Sequence, residues 1–525
     1  MMTPRIPGAA MTDSTVDQTA RAPAFPRVLA SDVFWVAVIA AATIAFYNLG
    51  PLGPDVSWLI TVSERILAGQ TLYVDILEPN PPMAGYIYMI PAWLAQALGV
   101  SAEPLVILYT TAFGLATTGL SAWLVRRARL LPRAELLWPI SFLLVGAAWG
   151  EDFAQREHFA TMAALPLLVA IALRAQGSRP ATWHWILAGL CGGLMLAIKP
   201  HFALPIALPV LYAATRQRSL RPLFGAPELW LAGGILLAFT AMIWFVFPDF
   251  FSNIMPVATA AYVPDRRDPL LLLSLPVVLF FLVLTAFGLA AYRRKITEEP
   301  LLGALFFCAV GFFVAYFAQS RGYLYQILPA ITLMSVFVLM SFAQNVGRAR
   351  KNVGAALAAA AALAIGSVPV LYEIHQWRVR QPLYAAVEPY GPGLKIVSIL
   401  PDLTAGSPLH RVIDGTLVNS PPGLLMSMSA IRLQQERSPT GAWAEALQAV
   451  EQGERTRLRE DMLQQPPDII VTAASHFDWF VWAQQDAQIA ELVREFEEFA
   501  VVPFDGYDIR LLKRPGLEAH HVPQL

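Results

Sequence analysis

The sequence predicts a polytopic α-helical membrane protein ending in a small α/β domain, and three observations carry this. Of its 525 residues, 56% are hydrophobic and only 14% charged, against roughly 25% charged in an ordinary soluble protein. With a mean hydropathy of +0.52, the chain lacks the charge to solvate the surfaces of two or three soluble domains. Apolar runs of the length needed to cross a bilayer, about 20 residues, recur between residues 31 and 372. From residue 373 onward the pattern changes to short β-type runs and charged helical spacing.

Taken in order, residues 1–30 are rich in Pro, Ala and Thr without apolar periodicity, and predict a disordered cytoplasmic tail. Eleven candidate spans follow, at 31–49, 102–125, 136–150, 159–173, 182–198, 201–215, 228–247, 269–292, 301–318, 323–342 and 353–372. They make 31–372 one transmembrane domain with a long first outer loop, 50–101. Asp32 stands where a signal peptide would carry its basic region, so the first span reads as an uncleaved anchor.

Cytoplasmic loops collect Lys and Arg. With the N-terminus inside, the inner segments hold 18 of them and the outer loops before residue 373 hold 6. Counting 83–99 as a twelfth span would invert every later loop. That stretch, with Tyr86, Tyr88 and Trp93, therefore reads as a helix in the outer interface, where amphipathic rings are favoured, or as a partial re-entrant one.

The tail, 373–525, predicts strands at 394–400, 468–473 and 507–513 and a charged helix over 442–464. It reads as a soluble α/β domain on the outer side. The two cysteines, Cys191 and Cys308, sit inside apolar runs, which excludes a disulfide framework. A net charge of −1 and a pI near 6.7 argue against nucleic acid as a partner. No zinc spacing, GxxxxGK loop or GxGxxG turn is present.

The outer loops are dense in acids. Glu64 with Arg65, Asp265 and Asp268 read as solvated loop charges. Asp55 follows Gly-Pro and opens a helix, so an N-cap and a chemical role are both open. Residues 155–158 fit either an internal salt-bridge cluster or a site. Lys199 is the one lysine that is neither cytoplasmic nor in the tail. Placed in a hairpin at the membrane edge, it needs a partner or a function.

The run Asp55, Trp58, Arg65-Ile66-Leu67-Ala68-Gly69, Tyr73-Val74-Asp75 and Glu78-Pro79-Asn80-Pro81-Pro82 resembles the first outer loop of GT-C fold glycosyltransferases. It is similar to the bacterial polyprenyl-phosphate-sugar enzymes, among them the lipid A aminoarabinose and galacturonic acid transferases and the protein mannosyltransferase group. The resemblance covers most of 30–345 and implies a GT-C-like fold in the bacterial inner membrane, with the active site and tail domain periplasmic. It implies a sugar donor on a polyprenyl phosphate and, as acceptor, a lipid such as lipopolysaccharide, a glycan or a protein. Asp55 maps onto the family's active-site aspartate and Glu78 onto its second acid, with Asp75 beside them. Many relatives carry Lys-Pro-Pro where this chain has Asn80-Pro81-Pro82. Lys199, in its Lys-Pro turn, is similar to the basic residue placed near the lipid phosphate.

The chemistry of such a transfer needs a carboxylate base for the acceptor hydroxyl and cations on the departing phosphate. Lys199, Arg156, His158, His201 and Arg321 are available for the phosphate. Asn80, Glu157, Tyr323 and Gln326 are candidate substrate contacts. A divalent metal on paired carboxylates stays open. A transporter or flippase of a lipid-linked glycan is the competing class; it predicts repeated halves and mid-membrane polar groups, whereas here the polar residues gather at one face. A non-catalytic scaffold presenting the tail is a third.

Overall fold

The computed structural model describes residues 31–346, 351–473 and 477–520. The expected tail at 1–30 lies outside them, as do Arg348 and Arg350 of one inner basic cluster. Helices stand at the expected spans: α1 (Asp32–Tyr47), α2 (Pro54–Leu67) and α3 (Met89–Leu98) in and before the first loop, then α4 (Ala102–Ala128), α5 (Leu137–Ser141, continued by a π-helical turn Phe142–Ala147), α6 (Arg156–Ala175) and α7 (Thr182–Ile198). There follow α8 (Ala203–Gln217), α9 (Pro227–Val246), α10 (Pro276–Glu298), α11 (Pro300–Gln319), α12 (Leu324–Asn345) and α13 (Lys351–Val387). Among the described residues seven are long and apolar enough to cross a membrane: α4, α6 and α9 to α13. Shorter helices stand at the other four expected spans.

The bundle has an inside and an outside. α6 and α12 are buried along nearly their whole length, while α9 and α10 are largely exposed. Leu237 and Phe245 on α9 are 73% and 81% exposed. Such a stave fits a lipid surround, because lipid tails are as apolar as these side chains. Its inner side packs on α7 through small residues: a Cβ added to Gly193 would lie 2.5 Å from Ile235 Cδ1.

Two expectations about the first loop are corrected. The stretch 83–99 forms two short helices, Met83–Tyr86 and α3, rather than one. Trp93 is exposed, but Tyr88 is buried and donates its hydroxyl to the Ala154 carbonyl at 2.6 Å. The Glu64–Arg65 pair is not a solvated face. Arg411 of the tail donates to Glu64 at 2.7 and 3.0 Å and also pairs with Glu103. Arg65 donates to the carbonyls of Leu417 and Asn419.

The change of pattern read at residue 373 does not break the chain, because α13 runs through it to Val387. Beyond lies a five-stranded sheet of β1 (Lys395–Ile399), β2 (Thr416–Leu417), β3 (Ile469–Ala473), β4 (Glu497–Phe504) and β5 (Tyr507–Lys513), in the order β2-β1-β3-β5-β4. β1 pairs in parallel with β2 and β3, and β5 runs antiparallel to β3 and β4. The β4–β5 hairpin turns on Asp505-Gly506, both at positive φ, the geometry an Asp-Gly pair tolerates best. The helices α14 (Leu425–Arg437) and α15 (Ala442–Gln464) complete this mixed α/β region. The expected strands and charged helix coincide with β1, β3, β5 and α15.

Candidate functional site

A cavity of about 600 Å³ lies at the end of the bundle beneath the sheet region. Its floor and walls come from the first loop (Asp55, Trp58, Glu78, Asn80), the turn before α6 (Glu151, Asp152, Gln155, Arg156) and the α7–α8 hairpin (Lys199, His201). Tyr262, Arg266 and residues 318–326 form another side. Residues 401–404 and 422–425 of the C-terminal region form the remainder.

Asp55 is the second residue of α2, after Pro54, and the N-cap is Gly53 with no side-chain cap bond. The capping explanation for Asp55 therefore fails, and its carboxylate faces the cavity. Burial raises its pKa above the usual aspartate value, while Arg156 and Gln155 beside it pull the other way. Glu78 is held differently. One oxygen accepts Trp58 Nε1 at 2.6 Å; the other accepts the Asn80 backbone N–H at 3.0 Å and the Asn80 side-chain amide. Tyr73 donates to the Asn80 carbonyl at 2.8 Å and fixes the Glu-Pro-Asn-Pro-Pro turn. Burial raises the Glu78 pKa too, against Arg156 and these donors. With both oxygens engaged, Glu78 is a positioned carboxyl group, and Asp55 is the more available one.

Arg156 opens α6 and is buried, yet its Nε and Nη1 have no hydrogen-bond partner. A buried guanidinium with free donors is costly unless something accepts from it. Lys199 follows α7 on an extended backbone. Its ammonium pairs with Glu157, donates to Gln319 Oε1 at 3.1 Å and lies 5.3 Å from the Tyr325 ring centre. The second Glu157 oxygen is buried without a partner, so Glu157 stands behind Lys199 as its counter-ion. Gln326 is buried beside the cavity with a free Oε1, and half-buried His201 has a shielded Nε2 without a partner. Tyr323 stacks on Tyr325.

Two expected site residues are not brought here. Asp75 is exposed and accepts the Thr71 N–H at 2.7 Å, closing its own turn. His158 is buried in the core, stacked on Trp149. Its Nδ1 accepts from Ala154 N, and its Nε2 meets the Val145 carbonyl at 2.8 Å. Both ring nitrogens are spent, so nothing remains for a phosphate. Asp265 is also corrected: it is 4% exposed rather than solvated, and pairs with Arg321 and Arg432. Arg321 lines the cavity from within that pairing.

Sequence reasoning assigned no role to Tyr262, Tyr325, Glu151 or Asp152. For Tyr325 the signal was its place in the polar SRGYLYQ turn; for the roof loops 401–404 and 422–425 there was none. Among the described residues no group of three or more His, Cys, Asp or Glu is placed to hold a metal ion.

No protein-family model matches the chain, and no curated protein matches it. Solved structures do match. One is the crystal structure of ArnT from Cupriavidus metallidurans bound to undecaprenyl phosphate, 14% identical, with a TM-score of 0.56. The match covers 93% of this chain and 98% of that one. It bears out, at the level of fold, the resemblance read from residues 55–82: the chain has the fold of ArnT over nearly its whole length.

Proposed function

We propose that this protein is a membrane glycosyltransferase that moves a sugar from a polyprenyl-phosphate donor to a lipid, glycan or protein acceptor. The observation that carries the reading is one cavity holding an available carboxylate, Asp55, beside a buried arginine with free donors, Arg156, and a lysine, Lys199. The fold shared with a protein crystallised with undecaprenyl phosphate supports it.

In this reading Asp55 removes the acceptor proton as the acceptor oxygen attacks the anomeric carbon. The bond from that carbon to the phosphate oxygen breaks, and polyprenyl phosphate leaves as the anion. Arg156 and Lys199, with His201 and Arg321 nearby, meet the charge that grows on the phosphate, where fixed donors act most strongly. Glu78, held by its Trp58 and Asn80 donors, orients the sugar together with Asn80, Tyr323 and Gln326. A single direct displacement inverts the anomeric centre. The topology we propose has eleven spans in a bacterial inner membrane, the N-terminus inside and the C-terminal α/β domain periplasmic.

Proteoliposomes loaded with a labelled polyprenyl-phosphate sugar test this. Release of polyprenyl phosphate with an inverted linkage on the acceptor is the expected result. Movement of the intact lipid-linked sugar across the bilayer without cleavage would replace the transferase with the flippase reading.

A further inference from the structure

The π-helical stretch Ala258–Tyr262 and the loop after it supply Tyr262 and Arg266 to the cavity wall. Ala258, Ala260, Ala261 and Tyr262 pack on α14 and α15, whereas Val263 and Arg266 to Asp268 beyond them are exposed. Two polar anchors hold that exposed part: the Arg267 N–H, which donates to the Ser320 carbonyl at 2.9 Å, and the side chain of Asp265. Oδ2 of this buried carboxylate accepts Arg321 Nη1 at 3.2 Å and Ser429 Oγ at 2.8 Å; Oδ1 accepts Arg432 Nε at 2.7 Å. Ser429 and Arg432 both belong to α14 of the C-terminal region. Arg321 reaches back to the carbonyls of Asp265 and Tyr262, and its guanidinium carbon sits 3.5 Å from the Tyr262 ring centre.

We propose that Arg432 is a positioning residue for the cavity: through Asp265 it sets the Arg321 guanidinium and the Tyr262 wall. Arg432 is absent from the cavity lining, so its influence runs through the shared carboxylate. A single negative charge between two guanidiniums is satisfied by both in fixed directions. Without Arg432, Arg321 is free to swing onto both Asp265 oxygens, away from the cavity. The C-terminal region thereby takes part in presenting the site as well as covering it. The ligand side of this inference rests on the transferase reading, and the positioning side does not.

The test uses the full chain in lipid nanodiscs. Hydrogen exchange in residues 262–268 is expected to speed up in Arg432→Ala, to return toward normal in Arg432→Lys, and to stay unchanged in β3 and β5. Unaltered exchange at 262–268 in Arg432→Ala would overturn the proposal. Undecaprenyl phosphate binding gives the second readout. Arg432→Ala is expected to weaken it about tenfold, the size of one lost charge-assisted hydrogen bond. The Arg432→Ala/Arg321→Met double variant should bind no worse than Arg321→Met, because coupled residues are non-additive. Additive losses would show that Arg432 does not act through Arg321. Faster exchange at 262–268 in Arg432→Ala together with no undecaprenyl phosphate binding by the wild-type protein would overturn the transferase reading and leave the positioning role standing.

Discussion

Lys199 and Glu157 form an ion pair in the cavity wall, with the carboxylate fully buried and the ammonium nearly so. The lysine is therefore both a candidate phosphate contact and the charge that keeps Glu157 tolerable. Lys199→Met should weaken donor binding by about 10- to 150-fold, for roughly 1.5–3 kcal/mol of charged hydrogen bonding. It should also destabilise the protein, since breaking a buried pair costs about 3–5 kcal/mol. Lys199→Met/Glu157→Gln should recover most of the stability and none of the binding. Donor titration and thermal unfolding separate the two, and full binding in the double variant would remove Lys199 from the phosphate site.

In the proposed reaction Asp55 is the base. Since Gly53 is the N-cap, Asp55→Asn takes away no capping bond and should fold normally. Turnover should drop about 100- to 10,000-fold, the range for a lost general base, with donor binding retained. Near-normal transfer by the folded variant would end the assignment.

The same residue sets a pH dependence. Burial raises its pKa above the unfolded aspartate value of about 3.9. A base must be unprotonated, so kcat/KM should fall as pH drops through that raised value, with the acid limb lying above the ordinary aspartate range. The limb should vanish from the residual activity of Asp55→Asn. A profile flat down to the ordinary range would show that the limiting group is another.

Trp58→Phe tests the charge on Glu78. Phenylalanine fills most of the indole volume but lacks the Nε1 donor that Glu78 accepts at 2.6 Å. With an ionised Glu78 the loss should cost about 1.5–3 kcal/mol and lower the thermal midpoint. A loss of only about 0.5–1.5 kcal/mol, the worth of a neutral hydrogen bond, would mean that Glu78 is neutral in the folded protein.

Orientation is checked by single cysteines at Arg294 and Ser438, both exposed, against native thiols that are buried. A membrane-impermeant reagent added to intact cells should be kept from the first by the inner membrane. Once the outer envelope is permeabilised it should reach the second. Labelling of both from one side would sink the topology and the side assigned to the chemistry.

The apolar runs made the seven long helices legible, because a spanning helix announces itself by the length of its apolar run. The first loop was legible through Asp55, Glu78 and the rigid prolines after it. Asp265 was misread since a loop acid beside two arginines gives no sign that Arg432, far along the chain, will close over it. His158 and Asp75 were misread for the opposite reason. Their types suit chemistry, but backbone groups within 13 residues of each satisfy them first. The roof was invisible because Asp402 and Thr404 meet the cavity only through the packing of the sheet region on the bundle.

The unbroken helix α13 fixes a phase relation. Its 37 residues extend about 55 Å at 1.5 Å per residue, against a hydrocarbon core of about 30 Å. About 25 Å of its length exceeds that core and serves as a shaft to the C-terminal region. One residue inserted in that shaft would turn everything beyond it by about 100° and raise it by about 1.5 Å. The pairs Arg380–Glu151, Arg411–Glu64 and Arg432–Asp265 would then lose register if the insertion lies before Arg380. The C-terminal region is thus keyed to the bundle like the bit of a key to its lock, and the helical pitch sets the angle at which it engages.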